Sequence, residues 1–239
     1  GICYSYKKCL CYNEEVMIRR TSGFTIIEVV LFLAISGLMA IGLLAGTSMA
    51  IQRQQYRDAV QSFAGYLRDE YARVVSVEND GTAKCGASVR GQSECFIVGR
   101  LIKTTGAAGR SYVSYPVYSN ESGVYQYDES QALSYDVAWS AKTKMQDAGD
   151  NALALLMYRD RDTGRLEIRS KQGDVTNAAV GGNSISALMS STDAAEGREI
   201  CVYDDGWLKG ERQSVFLTAK AGSGDAISIN NATAGCNNA

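Results

Sequence analysis

Residues 23–52, GFTIIEVVLFLAISGLMAIGLLAGTSMAIQ, decide the fold. From Val29 to Gln52 there is no charged side chain, and roughly 20 such residues in a helix cross the hydrocarbon core of a bilayer. The stretch predicts a membrane-spanning helix. Arg19 and Arg20 precede it, and Arg53 and Arg57 follow it, so the flanks carry similar charge. The short basic start MIRR and a cysteine-bearing domain beyond the helix favour a single pass through a membrane with the N-terminus in the cytoplasm. A cleavable secretory signal has an apolar core of only about 7 to 15 residues with its cleavage site after that core. This core is too long for that, and it carries an internal acid.

The acid is Glu28, a few residues inside the apolar stretch. A carboxylate at the centre of a membrane helix costs about 2.5 to 3.5 kcal/mol on insertion scales and less near the interface, so it calls for a cationic partner. On a plain single-pass anchor, Gly23 is a loop glycine, Phe24 an interfacial aromatic and Glu28 a snorkelling acid. Gly23, Phe24 and Glu28 together support a more specific reading. The run GFTIIEVV resembles the type III signal sequence of type IV pilins and pseudopilins. The resemblance implies cutting after Gly23 by a prepilin peptidase on the cytoplasmic side, N-methylation of the new terminus on Phe24, and Glu28 as the fifth residue of the mature chain. It further implies assembly through the N-terminal helix with other pilin subunits on an inner-membrane platform, into a filament at the cell surface or in the periplasm. Independently of the family, such a cut leaves an α-ammonium on Phe24 that the Glu28 carboxylate of a neighbour can neutralise at low dielectric.

Met17 opens the heptapeptide MIRRTSG, short and basic like many prepilin leaders, so translation is expected to start there rather than upstream, and residues 1–23 are expected to be removed. The chain's single proline is Pro116, so the helix lacks the proline that many type IV pilins carry. Gly37, Gly42 and Gly46 interrupt the same stretch, each at about 1 kcal/mol relative to alanine.

Beyond the apolar stretch, Tyr56, Val60, Phe63, Leu67, Tyr71 and Val74 recur at steps of three or four. Asp58, Ser62, Gly65, Asp69, Arg73 and Ser76 occupy the opposite face. No turn residue separates the two patterns. One helix from Phe24 to about Val77 is expected, residues 24–51 forming a transmembrane and assembly half and 52–78 an amphipathic half laid on a β-sheet.

Residues 79–239 read as a β-rich head. Strands are expected at 95–103, 111–119, 123–127, 133–139, 153–158, 165–169, 199–203, 214–219 and 226–229, bounded by turn residues and paired mostly antiparallel. Asp162, Thr163 and Gly164 mark a hairpin between LALLMYR and RLEIRS, and Asp205 with Gly206 marks another. The fold class is α+β, a long helix on a sheet. A helical spine with a β-rich head and two cysteines near the C-terminus is similar to minor pilins and minor pseudopilins.

Four cysteines lie in the head, Cys85, Cys95, Cys201 and Cys236, while Cys3, Cys9 and Cys11 crowd the N-terminus. An even count fits two disulfides in an oxidising compartment. Of the three pairings, Cys85 with Cys95 and Cys201 with Cys236 are favoured, the first bracketing a short turn and the second pinning the C-terminal tail. Free buried thiols are the alternative.

Little points to chemistry. With 24 basic and 26 acidic side chains the net charge is -2, which does not favour nucleic acid. The chain has no histidine, the commonest general acid/base near neutral pH and the commonest transition-metal ligand. No enzyme, cofactor or metal site is expected. Asp160 with Asp162, Asp204 with Asp205, and Asp225 near Asn230 offer oxygen ligands without the spacing of a calcium loop, and read as solvated turn acids. Tyr112, Tyr115, Tyr118, Tyr125 and Tyr127 read as sheet-face packing, with an adhesive patch as the other possibility. The expected function is a structural subunit, a minor pilin, of a type IV pilus-like filament. The alternatives are a minor pseudopilin of a type II secretion-like system, a DNA-uptake minor pilin, which would need a basic stripe, and a membrane-tethered extracytoplasmic binding domain or enzyme.

Overall fold

A computed structural model describes residues 23–76, 96–106, 108–119, 125–145, 151–160, 163–172, 185, 198–204, 213–218, 226–231 and 236. The chain forms two compact units, residues 1–48 and 49–239. Helix α1 (Ile26–Val75) contributes to both, starting and ending slightly inside the expected bounds. It lacks proline throughout. A Cβ on Gly37, Gly42 or Gly46 would meet nothing within 4 Å, so these glycines leave the helix intact and serve no packing among the described residues.

In the second unit the helical face read from the sequence is the buried one. Tyr56, Val60, Phe63, Leu67, Tyr71 and Val74 all lie in the core, with Ala59 and Ala64 beside them. Burying side chains such as Phe63 and Leu67 contributes roughly 1.5 to 3 kcal/mol each, which is why packing rather than intrinsic propensity holds this half of the helix.

The expectation of one sheet is corrected to two. The first contains β1 (Phe96–Thr104), β2 (Ser111–Ser119), β3 (Tyr125–Tyr127), β4 (Leu133–Asp136), β6 (Leu153–Arg159) and β7 (Leu166–Gln172), in the order β3-β2-β1-β6-β7, with β4 also on β2. The second runs β10-β9-β8-β5, from β5 (Ala141–Met145), β8 (Arg198–Asp204), β9 (Gln213–Leu217) and β10 (Ile227–Asn231). Every pairing is antiparallel, including the β6–β7 hairpin with Arg159 opposite Leu166. Strand β5 was not expected, because AKTKM is poor in β-forming residues. Its alternation nevertheless buries Ala141, Thr143 and Met145 and turns Lys142 and Lys144 outward. The strand expected over 133–139 stops at Asp136, and Trp139 takes a left-handed turn conformation.

Both sheets share one core with α1. Ile102, Tyr112, Leu155 and Met157 come from the first sheet, and Ile200, Val202, Val215 and Leu217 from the second. The first sheet is also buried on its other face, where Leu101, Tyr115, Val117, Leu156 and Tyr158 pack with Ile185. Two-sided burial explains why LALLMYR is almost continuously apolar rather than alternating. Pro116 is accommodated within β2 because its carbonyl accepts from Asp128 N (3.2 Å) on the side away from β1. Its missing N–H faces that same side, between the stretch paired with β4, ending at Ser114, and the stretch paired with β3, beginning at Val117. Gly99 sits at a β-bulge against the Met157 carbonyl and 2.7 Å from Tyr158 Cβ when a Cβ is built on it, so only glycine fits there.

Candidate functional site

Gly23, Phe24 and Thr25 lead into α1. Thr25 caps the helix. The Glu28 N–H donates to Thr25 Oγ1 (3.3 Å) and to the Thr25 carbonyl (3.0 Å), and the Val29 N–H donates to the same carbonyl (3.2 Å). Thr25-Ile26-Ile27-Glu28 therefore has the T-x-x-E form of a capping box, a signal present in the sequence but passed over beside the charge of Glu28. Glu28 stands in the first turn, where the helix dipole favours an acid by about 0.3 to 1 kcal/mol. A Cβ on Gly23 would meet nothing within 4 Å, so packing among the described residues does not require glycine there.

The large apolar side chains that follow have no cover. Phe24 is 78% exposed and Ile26 86%, and Phe32, Leu38, Ile41, Leu43 and Leu44 are likewise exposed. Exposure extends all round the helix rather than along one stripe, unlike a helix docked on a soluble core. Among the described residues one helix is long and apolar enough to cross a membrane, and this is its apolar part.

In the second unit the side chain that sequence reasoning missed is Glu70, which falls on the buried face of α1. Its Oε2 accepts from Arg100 Nε of β1 (2.7 Å) and from Ser114 Oγ of β2 (2.6 Å), while Arg73 Nε lies 3.9 Å from Oε1. Helix and sheet are thus joined by a buried ion pair between an acid and a base that are both under a tenth exposed. Burial, followed by the nearby Glu70 carboxylate, pushes the Tyr66 phenol above its ordinary value. The Tyr66 ring stacks on Tyr135 of β4, with centroids 4.2 Å apart. The spacing that runs from Tyr56 through Val60, Phe63 and Leu67 also reaches Glu70, but nothing in the sequence marks Arg100 and Ser114 as its partners, and without them a glutamate between Asp69 and Tyr71 reads as solvated.

The remaining candidates resolve into structural roles. Asp160 Oδ1 accepts from Thr163 N (2.7 Å) and Thr163 Oγ1 (2.8 Å), closing the β6–β7 turn. Asp204 Oδ1 accepts from Ser140 Oγ (2.8 Å), and Asn230 is exposed on edge strand β10. Among the described residues no three acids or cysteines converge on a point. Asp162, Asp205 and Asp225 lie outside the described residues. Of the five tyrosines read as sheet-face packing, Tyr112, Tyr115, Tyr118 and Tyr127 are buried and Tyr125 is half-buried, its ring edge-on to Tyr158. Cys201 on β8 and Cys236 form a disulfide with Cα atoms 5.4 Å apart, whereas Cys85 and Cys95 lie outside the described residues. Comparisons with protein-family models, with curated proteins and with solved structures returned no match.

Proposed function

We propose that this chain is a type IV pilin-like structural subunit, a minor pilin, cut after Gly23 and assembled into a filament through the apolar part of α1. The observation that carries the reading is Glu28 standing alone among uncovered apolar side chains, five positions beyond Gly23 in the run GFTIIEVV. Lipid covers those side chains before assembly and neighbouring helices cover them afterwards. Magnitudes favour an intersubunit role for Glu28. Its own helix terminus offers at most about 1 kcal/mol. A neighbour's Phe24 α-ammonium at ~4 Å offers about 4 kcal/mol at an effective dielectric of ~20, and more in a drier bundle. Pairing along the bundle would set the axial stagger of successive subunits. Prepilin peptidase and an inner-membrane assembly platform are the partners this function requires.

Mass spectrometry of the N-terminal peptide from membrane and sheared-surface fractions tests the cut. A mature chain beginning at methylated Phe24 is expected, and protein that retains residues upstream of Gly23 in every fraction would overturn the proposal. Glu28→Ala should be processed normally yet enter filaments poorly. Undiminished incorporation would remove the charge-pairing account while leaving the cut in place.

A further inference from the structure

Gly23, Phe24 and Thr25 stand outside the helix and α1 begins at Ile26, so the bond between Gly23 and Phe24 lies just ahead of the first helical turn. Thr25 sets that start. Its carbonyl accepts the first intrahelical bond, from Val29 N (3.2 Å), and its hydroxyl accepts from Glu28 N (3.3 Å), an N–H that a bare helix end leaves without a partner. The contact uses the Glu28 amide and not its carboxylate, so it survives Glu28→Ala. The sequence also offers a competing start. Ser22 lies three positions upstream and ranks at least level with threonine as a cap, and a helix begun there takes Gly23 and Phe24 into its first turn. Nothing blocks that longer helix sterically, since Phe24 is exposed and a Cβ on Gly23 would meet nothing within 4 Å. Beside lipid an unpaired N–H is costly, so a helix deprived of the Thr25 hydroxyl lengthens to the next cap rather than fraying.

We infer that Thr25 is a positioning residue for processing: by capping α1 it keeps the Gly23–Phe24 peptide out of the helix and open to the peptidase. The inference rests on the cut after Gly23 proposed above. A peptide inside a helix has its polar groups engaged and its neighbours wound around it, so a peptidase acts on the opened form. Where opening is fast, the rate of cutting follows the population of that form. A threonine cap favours the start at Ile26 by about 5-fold over alanine, and the reluctance of Gly23 to join a helix acts in the same direction. Hydrolysis adds water across the Gly23–Phe24 bond, leaving a carboxylate on Gly23 and an ammonium on Phe24. Thr25 exchanges no atom in that step and acts only through the backbone ahead of it.

Pulse-chase labelling of the full chain in its native cells measures the rate of cutting. Thr25→Ala should slow it about 5-fold, whereas Thr25→Ser and Thr25→Gly, both good caps, should stay within about 2-fold of the wild type. A peptidase that reads the threonine side chain itself would penalise glycine as much as alanine. Ile26→Pro should restore the rate in the Thr25→Ala background, because proline suits the first helical position and keeps the residue before it extended. In uncut precursor, purified in detergent from cells lacking the peptidase, the Cα chemical shifts of Gly23 and Phe24 should turn helical in Thr25→Ala and in none of the other variants. Wild-type cutting of Thr25→Ala, equal slowing by Thr25→Gly, no rescue by Ile26→Pro, or unmoved shifts would each overturn the inference and leave the cut in place. A wild-type chain that is never cut after Gly23 would overturn the cut and the inference together.

Discussion

The Tyr56 hydroxyl donates to the Val202 carbonyl at 2.7 Å and accepts from the Gln213 N–H at 2.6 Å, so one phenol on α1 completes the end of the β8–β9 ladder, where Val202 faces Gln213. Tyr56 is itself buried, which leaves no water to replace it. Tyr56→Phe should cost about 1–2 kcal/mol and lower Tm by about 2–8 °C. Hydrogen exchange at Gln213 should quicken with it, and unchanged protection there would show the contact to be dispensable.

Glu70 and Arg100 are worth less as a pair than the loss of either one alone suggests. Glu70→Leu strands the Arg100 guanidinium in the core and should destabilise by about 3–5 kcal/mol. Combining it with Arg100→Met should recover most of that loss, because two apolar groups need no counter-charge. A urea double-mutant cycle measures the coupling, and additive losses would place the energy in packing instead.

Alkaline pH should unfold the second unit through its tyrosines. Burial raises the Tyr112 phenol well above its ordinary value, with the Thr143 hydroxyl opposing the shift. The fold therefore holds this proton more tightly than the unfolded chain does. The stabilisation is complete below the unfolded value of about 10 and declines as pH rises beyond it towards the folded value. Tm measured from pH 8 upwards should fall beyond about pH 10, and Tyr112→Phe should flatten that slope. An equal slope in the variant would assign the effect to other groups.

The Cys201–Cys236 disulfide spans a separation of 35 residues in sequence and secures Cys236 to β8. Chain-entropy scaling sets its contribution at about 3–4 kcal/mol. Replacing both cysteines by alanine should lower the denaturation midpoint accordingly. Reductant should lower the midpoint of the wild type by more than it lowers that of the double variant, the difference being the contribution of Cys201–Cys236. Reductant-insensitive melting of the wild type would show the bridge to be energetically silent.

Much of the architecture was legible because it rests on periodicity. Tyr56, Val60, Phe63 and Leu67 announce a helical face by their spacing alone, strands such as β2 and β8 announce themselves by β-branched and aromatic residues, and β6 by a short apolar run that ends at a turn. Residues 141–145 escaped notice because lysine and alanine do not favour strands in isolation. Pairing with β8 supplies what propensity does not. Glu70 escaped for a related reason: its burial depends on Arg100, 30 positions away, being brought to the same point by β1.

The sequence by itself determined the apolar segment, its solitary acid and the helical face that packs, because each depends on residues only a few positions apart. Tertiary structure alone decided that the β-rich part divides into two sheets over one core and that Glu70 meets Arg100. It also set Trp139 out on a strained turn. Those outcomes depend on which distant strands pair, and local spacing carries no record of that choice.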